Sequence, residues 1–387
     1  MSFVPRSSIT NRIAAALTDI ERARGFLDAT TLSDAWIHAM QSTASLLEAH
    51  HATHIEVTQL TIDEAAELLA GASVPSADPD DARELLNYRD AFEFVSRNLN
   101  DGGPITESLV REIHHRLVAG RPWWRCRARR VANHSELHHR LSHGRCDLRP
   151  APPADDVPEL MRDLIRCTNH PHDVHPVIAS AIAQFQLVHI HPFLDGNGRT
   201  SRLLSMLCLY RAGYDFKRLF AISEYHDQDR VAFYNAIQSV RQMQMDMTRW
   251  IEFFTHGLAT QRAEVKQRGE VAMRQDVLAR RHALTGRQVV ALGAVLAHGW
   301  LTIAEFQDRV PGAPRRTLQR DLRALVEKGA LKRCGRTNRL EYVLAGGAVR
   351  ACVKTCATAR AKLAPPLVPP AGIPDASPRL ARLRRAL

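Results

Sequence analysis

The sequence predicts a mainly α-helical protein in which a helical core is followed by a smaller unit of three helices and a hairpin. Three observations carry this expectation. Apolar residues recur at helical spacing in successive segments, most densely over 177–188 and 203–210. A polar stretch with two glycines and two arginines, 191–202, separates those two dense segments. Between 284 and 345, three amphipathic patterns precede two strand-like runs set around Gly335-Arg336-Thr337-Asn338.

At 387 residues the chain is long enough for two or three domains with full cores. The expected division is an N-terminal helical region over 1–95, a helical core over 96–260, a connecting helix over 261–283, a compact unit over 284–345 and a Pro/Ala/Arg-rich tail over 346–387 whose composition does not support a packed core. The formal charge of +11 favours acidic partners, either nucleotides or nucleic acid. Seven scattered cysteines without a Cys-x-x-Cys pair read as reduced thiols, which places the protein in the cytoplasm. The first residues lack an apolar run of signal length, and no stretch approaches the length that crosses a bilayer, so no membrane partner is expected.

In chain order, a helix is predicted over 9–26, then one over 32–50 with Trp36, Met40, Leu46 and Leu47 on one side. Residues 87–99 continue the helical core. Thr106 is placed to cap a further helix whose inward face is Leu109, Val110, Ile113 and Leu117. Residues 120–153 are the least regular interval, with two tryptophans, many arginines, four histidines (His134, His138, His139, His143) and several prolines. Those histidines lack the cysteine or carboxylate spacing of a closed zinc site. Helices over 157–167 and 176–188 lead to the polar stretch, and Gly213 ends the helix that follows it.

The polar stretch reads His191-Pro192-Phe193-Leu194-Asp195-Gly196-Asn197-Gly198-Arg199-Thr200-Ser201-Arg202. A glycine-bearing turn opening directly onto a helix leaves backbone N–H groups at the positive end of the macrodipole, which makes an anion site. Arg199 and Arg202 are three apart and share one face of the first turn, so both lie beside the same anion. Two arginines and several amides suit a polyphosphate better than a lone carboxylate. Asp195 would repel that phosphate unless a hard cation such as Mg²⁺ lies between them. His191, held extended by Pro192, is a neutral base near the same loop. The pattern is not a P-loop, since no Gly-Lys-Ser/Thr follows. Neither is it the dinucleotide fingerprint, because Ser201 stands where the third glycine would be.

With every fixed position of His-x-Phe-x-x-Gly-Asn-Gly-Arg-x-x-Arg filled, this stretch resembles the signature of the Fic family of nucleotidyl transferases, and a wider resemblance runs from about residue 30 to about 260. It implies a Fic-type helical core and transfer of AMP from ATP to a Ser, Thr or Tyr hydroxyl of a target protein, or of the protein itself, with release of pyrophosphate. His191 would be the general base. Asp195 would hold Mg²⁺, Gly196, Asn197 and Gly198 would cradle the phosphates, Arg199 would neutralise the β-phosphate and Arg202 would fix the γ-phosphate. Over 120–153 the family places a β-hairpin flap that grips the target by strand addition. Tyr234 and Asn235 fall where the family lines its nucleotide pocket. The segment Thr43-Ala44-Ser45-Leu46-Leu47-Glu48-Ala49, followed by His54-Ile55-Glu56-Val57, resembles the family's autoinhibitory helix. Glu48 would then pair with Arg202 and deny it to the γ-phosphate. The usual pattern has Ser or Thr four residues before the Glu and Gly or Asn after it, where this chain has Ala44 and Ala49, which implies a weakened brake.

In the C-terminal unit, helices over 286–298, 303–309 and 315–328 and a basic hairpin resemble a winged helix-turn-helix. Its third helix turns Leu318, Leu322, Leu325 and Val326 inward and Arg315, Arg316, Gln319, Arg320 and Arg323 outward, as a DNA reader or a protein-docking module would. Two alternatives to an autoinhibited, Mg²⁺-dependent AMP transferase stay open: a DNA-binding regulator whose Fic unit senses nucleotide, and a Fic-type transferase using another nucleotide. Intact His191 argues against a pure sensor. Gly196 and Gly198 argue against the phosphate-transferring Doc branch, whose motif has Ala and Lys there. A homodimer is also left open.

Overall fold

The computed structural model describes residues 5–30, 32–97, 103–120, 152–170, 174–335 and 340–345. The expected flap, the histidines at 134–143, the tip of the C-terminal hairpin and the tail lie outside the described residues. Two compact units are present, Met1–Thr30 with Gln41–Val265, and Thr31–Met40 with Lys266–Leu387.

The larger unit is helical. In order come α1 (Asn11–Ala29), the part of α2 (Asp34–His54) from Gln41 on, α3 (Ile62–Leu69), α4 (Pro79–Arg97), α5 (Glu107–Leu117), α6 (Val157–Asn169), α7 (Pro176–Ile190), α8 (Asn197–Arg211), α9 (Ile222–Gln228), α10 (Arg230–Gln242) and the start of the long α11 (Thr248–Arg281). Thr10 caps α1 by accepting from the Ile13 amide, and Ile13, Ala16, Ile20, Ala23 and Leu27 make its buried stripe. Thr106 caps α5 as its sequence predicts, accepting from Leu109 at 3.1 Å.

Helix α7, with Pro176 in its first turn, and helix α8 are buried nearly all round, the mark of helices at the centre of a core rather than on its surface. They pack mainly on one another, while α4 and α5 cover α8 and α6 covers α7. Ser180 donates to the Ser205 carbonyl at 2.7 Å and Ser205 to Gln184 Oε1 at 3.0 Å, so the pair is tied by hydroxyls as well as by packing.

Helix α2 departs from its predicted face. Its most buried residues are Ala44, Glu48, Ala49, His50, Ala52 and Thr53, while Trp36, Met40, Leu46 and Leu47 are only half-buried. The polar ones are covered because they find hydrogen-bond partners: Thr53 donates to the Ala49 and His50 carbonyls, and His50 to that of Leu60. The helix also runs past His50 to His54, which matters for the site.

In the smaller unit, α12 (Gly286–His298), α13 (Ile303–Arg309) and α14 (Arg315–Glu327) precede β1 (Leu331–Cys334) and β2 (Glu341–Leu344). Capping boxes formed by Thr285 with Gln288 and by Thr302 with Glu305 start α12 and α13. The strands pair antiparallel with Leu331 opposite Leu344, and Leu301 adds a bridge to Tyr342. Leu318, Leu322 and Leu325 of α14 close a core with Leu292, Val295, Phe306 and Leu331, leaving Arg315, Arg316, Gln319, Arg320 and Arg323 exposed. Among the described residues no helix is long and apolar enough to cross a membrane.

Candidate active site

The loop 191–196 is pinned at both ends because it joins the two most deeply buried helices. His191 closes α7: its N–H donates to the Leu187 carbonyl at 2.9 Å, and its backbone is left-handed, with φ 53° and ψ 56°, rather than extended as the following proline implied. That conformation costs a non-glycine residue on the order of 1 kcal/mol, and such residues gather at functional sites. Pro192 and Phe193 are buried beneath the loop, and Leu194 is exposed. Asn197 then stitches the turn, its Oδ1 accepting from the Phe193 amide at 3.0 Å and its Nδ2 donating to the Phe193 carbonyl at 2.8 Å. Its side chain is therefore a brace, and what it offers an anion is its backbone N–H in the first turn of α8.

Gly196 adopts φ 75° as the N-cap of α8, a backbone conformation in which any side chain would be strained. Its amide donates to Asp195 Oδ1 at 2.7 Å. Beneath it, His114 of α5 stacks on Phe193 with ring centroids 3.7 Å apart and donates from Nε2 to the Asp195 carbonyl at 2.9 Å. Burial pushes the His114 pKa down to about 4, so at neutral pH the ring is an uncharged donor. His114 was not among the residues expected at the site. Its sequence signal is a polar residue four positions after Val110 on the inward face of an amphipathic helix.

Arg199 and Arg202 project from the first turn of α8 with side chains 3% and 1% exposed. Each meets a carboxylate from a different helix region. Arg199 Nη1 donates to Glu84 Oε2 of α4 at 2.9 Å, and Nη2 lies 3.5 Å from Asp195 Oδ1. Arg202 Nη2 donates to Glu56 Oε1 and to the Ala52 carbonyl, both at 2.8 Å. Burial works against the Arg202 charge, but Glu56, Tyr88 and Tyr234 outweigh it and the guanidinium is held more firmly protonated than usual. The Nε atoms of both arginines are buried without a hydrogen-bond partner among the described residues.

The partner of Arg202 corrects the expectation for Glu48. Glu48 is fully buried and accepts from the Tyr88 hydroxyl at 2.8 Å, from the Ser223 amide at 3.0 Å and from the Ser223 hydroxyl. Burial, followed by this carboxylate, raises the Tyr88 pKa well above its usual value. Glu48 is thus committed to an internal polar cluster with Tyr88 and Ser223. Glu56, two residues past the end of α2, is the acid that reaches the motif arginine. Gly198 makes the approach possible, since a Cβ there would run into the Glu56 carboxylate.

Of the two residues expected at the nucleotide pocket, Tyr234 is half-buried on α10 and acts on Arg202 electrostatically, whereas Asn235 is exposed. No group of three His, Cys, Asp or Glu side chains among the described residues is arranged to hold a metal ion. A single carboxylate nevertheless suits Mg²⁺, which keeps several waters and takes its remaining ligands from substrate phosphates. Asp195, with a quarter of its side chain exposed, fits that donor set.

Residues 104–209, which run from the cap of α5 through the site to α8, match the Fic/DOC family model. They form a Fic/DOC domain. Over 207 residues the chain is 30% identical to the protein adenylyltransferase Fic of Drosophila erecta, and to that of Drosophila melanogaster; each match covers 51% of this chain and 39% of the relative. The chain thus spans well under half the length of these curated relatives. Among solved structures, a Fic family protein from Desulfovibrio desulfuricans is similar over 90% of this chain and 100% of its own, with 22% identity and a TM-score of 0.58. Fic-1 from C. elegans is similar over 67% of this chain and 71% of its own, with 22% identity and a TM-score of 0.52. These likenesses establish the fold around the Fic/DOC domain; the matched domain ends with the helix that carries both motif arginines.

Proposed function

We propose that the protein transfers AMP from ATP to a hydroxyl of a target protein. The observation that carries this reading is the convergence of His191, Asp195, the first-turn amides of α8 and two buried arginines on one short loop. The Nε groups of Arg199 and Arg202, without partners among the described residues, support it, because buried donors without partners are costly unless a ligand supplies the acceptor. In the proposed reaction His191 takes the proton from the target hydroxyl as its oxygen bonds to the α-phosphorus. The bond from that phosphorus to the β-bridging oxygen breaks, and pyrophosphate leaves with its charge matched by the arginines and amides. Bound Mg²⁺, held by Asp195, would supply charge neutralisation at the phosphates. Placement and charge account for catalysis of this type, and those are what the loop provides. Incubation with ATP labelled at the α- or γ-phosphorus tests the reading: protein should acquire label from α-labelled ATP only. Label from the γ-position would instead show phosphate transfer.

The exposed face of α14 supports a second activity in the smaller unit. Arg315, Arg316, Gln319 and Arg320 stand free of the core that Leu318 and Leu322 build, which suits docking on DNA. Binding to duplex DNA should then weaken steeply with salt, and Arg316→Ala and Arg320→Ala should each shallow that slope by about one unit, the effect of one arginine no longer neutralising a phosphate. Absence of salt-dependent binding removes this reading and leaves the transferase reading intact.

A further inference from the structure

We infer that Glu84 is a positioning residue that aims Arg199 at the β-phosphate of the nucleotide; the inference rests on the AMP-transfer reading of the site. The geometry distinguishes the acids that meet the two motif arginines. Glu56 lies beyond the end of a helix, its side chain is 30% exposed, and it closes over Gly198 on the anion side of the turn. Glu84 sits inside α4, one turn before the buried Tyr88, and its side chain is only 13% exposed. It takes Nη1 of Arg199, while Nη2 is turned to Asp195 at the start of the turn. One nitrogen is thus anchored to the scaffold and the other directed to the loop. An anchor of this kind removes the rotamer entropy that a long side chain otherwise loses on meeting a ligand. A well-packed acid–arginine pair of low exposure also resists exchange, because separating it strands a buried charge. Glu56 is placed to yield to a polyphosphate, and Glu84 is placed to stay.

The test uses the full chain carrying Glu56→Gly, so that Arg202 does not limit binding, and measures affinity for ATP, ADP and AMP by calorimetry with Mg²⁺ present. Adding Glu84→Ala should weaken ATP and ADP about tenfold, the size expected for one charge-assisted hydrogen bond losing its fixed donor. AMP, which has no β-phosphate, should bind as before. Glu84→Gln keeps an acceptor of the same shape and should lose less. Arg199→Ala combined with Glu84→Ala should be no worse than Arg199→Ala alone, since both act through one guanidinium. Tighter ATP binding by Glu84→Ala overturns the inference and makes Glu84 a second competitor for the site. Equal losses for all three nucleotides overturn it as fold damage, and unchanged affinities overturn it outright. If the Glu56→Gly protein itself binds none of the three, the transferase reading fails and this inference falls with it, an outcome distinct from normal binding that is indifferent to Glu84.

Discussion

His191→Ala is expected to lower AMP transfer by about 10²–10⁴-fold, the contribution of a positioned general base, while ATP affinity stays nearly unchanged. The split follows from where the residue stands. The groups proposed to face the phosphates are the amides of α8, Arg199 and Arg202, and their partners in the structure are Asn197, Glu84 and Glu56. What His191 gives up to hold its place is backbone strain at φ 53°, and alanine relieves none of it. The variant should therefore fold, bind nucleotide and fail at the chemical step. Measuring label incorporation from α-labelled ATP beside ATP affinity in the same preparation separates the outcomes. Transfer at the unmutated rate rejects His191 as the base, and loss of binding together with transfer shows that it supports the loop instead.

The parts of this molecule that were legible in the sequence are those fixed by local physics. The density of apolar residues over 177–188 and 203–210 announced two central helices, and both are buried almost all round. Thr106 announced the start of α5, and the periodic leucines of α14 announced its inward face. The turn at 196–198 was legible because its glycines stand among His191, Asp195, Arg199 and Arg202 in one short stretch. What was not legible depends on which side chains meet across the fold. Glu48 and Glu56 are both acids at the C-terminal half or end of one helix; the resemblance set Glu48 against Arg202, where the structure places Glu56. Only the packing of α2 decides that Glu48 turns to Tyr88 and Ser223 while Glu56 arrives at Arg202. Glu84 and His114 were invisible for the same reason: a charged or polar residue on an amphipathic helix reads as solvent-facing until a neighbour covers it. A family's motif therefore located the turn at 196–198, and tertiary contacts supplied the acids and the brace around it.

Glu56→Gly is expected to raise transfer roughly ten- to hundredfold, corresponding to a coupling of about 1–3 kcal/mol between the occupied arginine and the incoming phosphate. The physical ground is competition. Arg202 is nearly inaccessible to solvent, its charge is held on by Glu56, and the same guanidinium is the one proposed to take the γ-phosphate. The gain should lie toward the lower end of that range, because the contact is built on a strained segment. Val57, directly after Glu56, is β-branched and exposed yet sits at φ 83°, a region that favours glycine, so closing the contact already costs the backbone energy. Glu48→Ala is the control that separates this account from the alternative. Removing Glu48 strands the Tyr88 and Ser223 hydroxyls in a dry interior and should lower folding stability by on the order of 3 kcal/mol, read as an earlier urea midpoint, with no activation. Activation by Glu48→Ala with none by Glu56→Gly would reverse the assignment. Activation by Glu56→Gly alone means that the acid just beyond the end of α2, rather than the one buried inside it, competes with the nucleotide for Arg202.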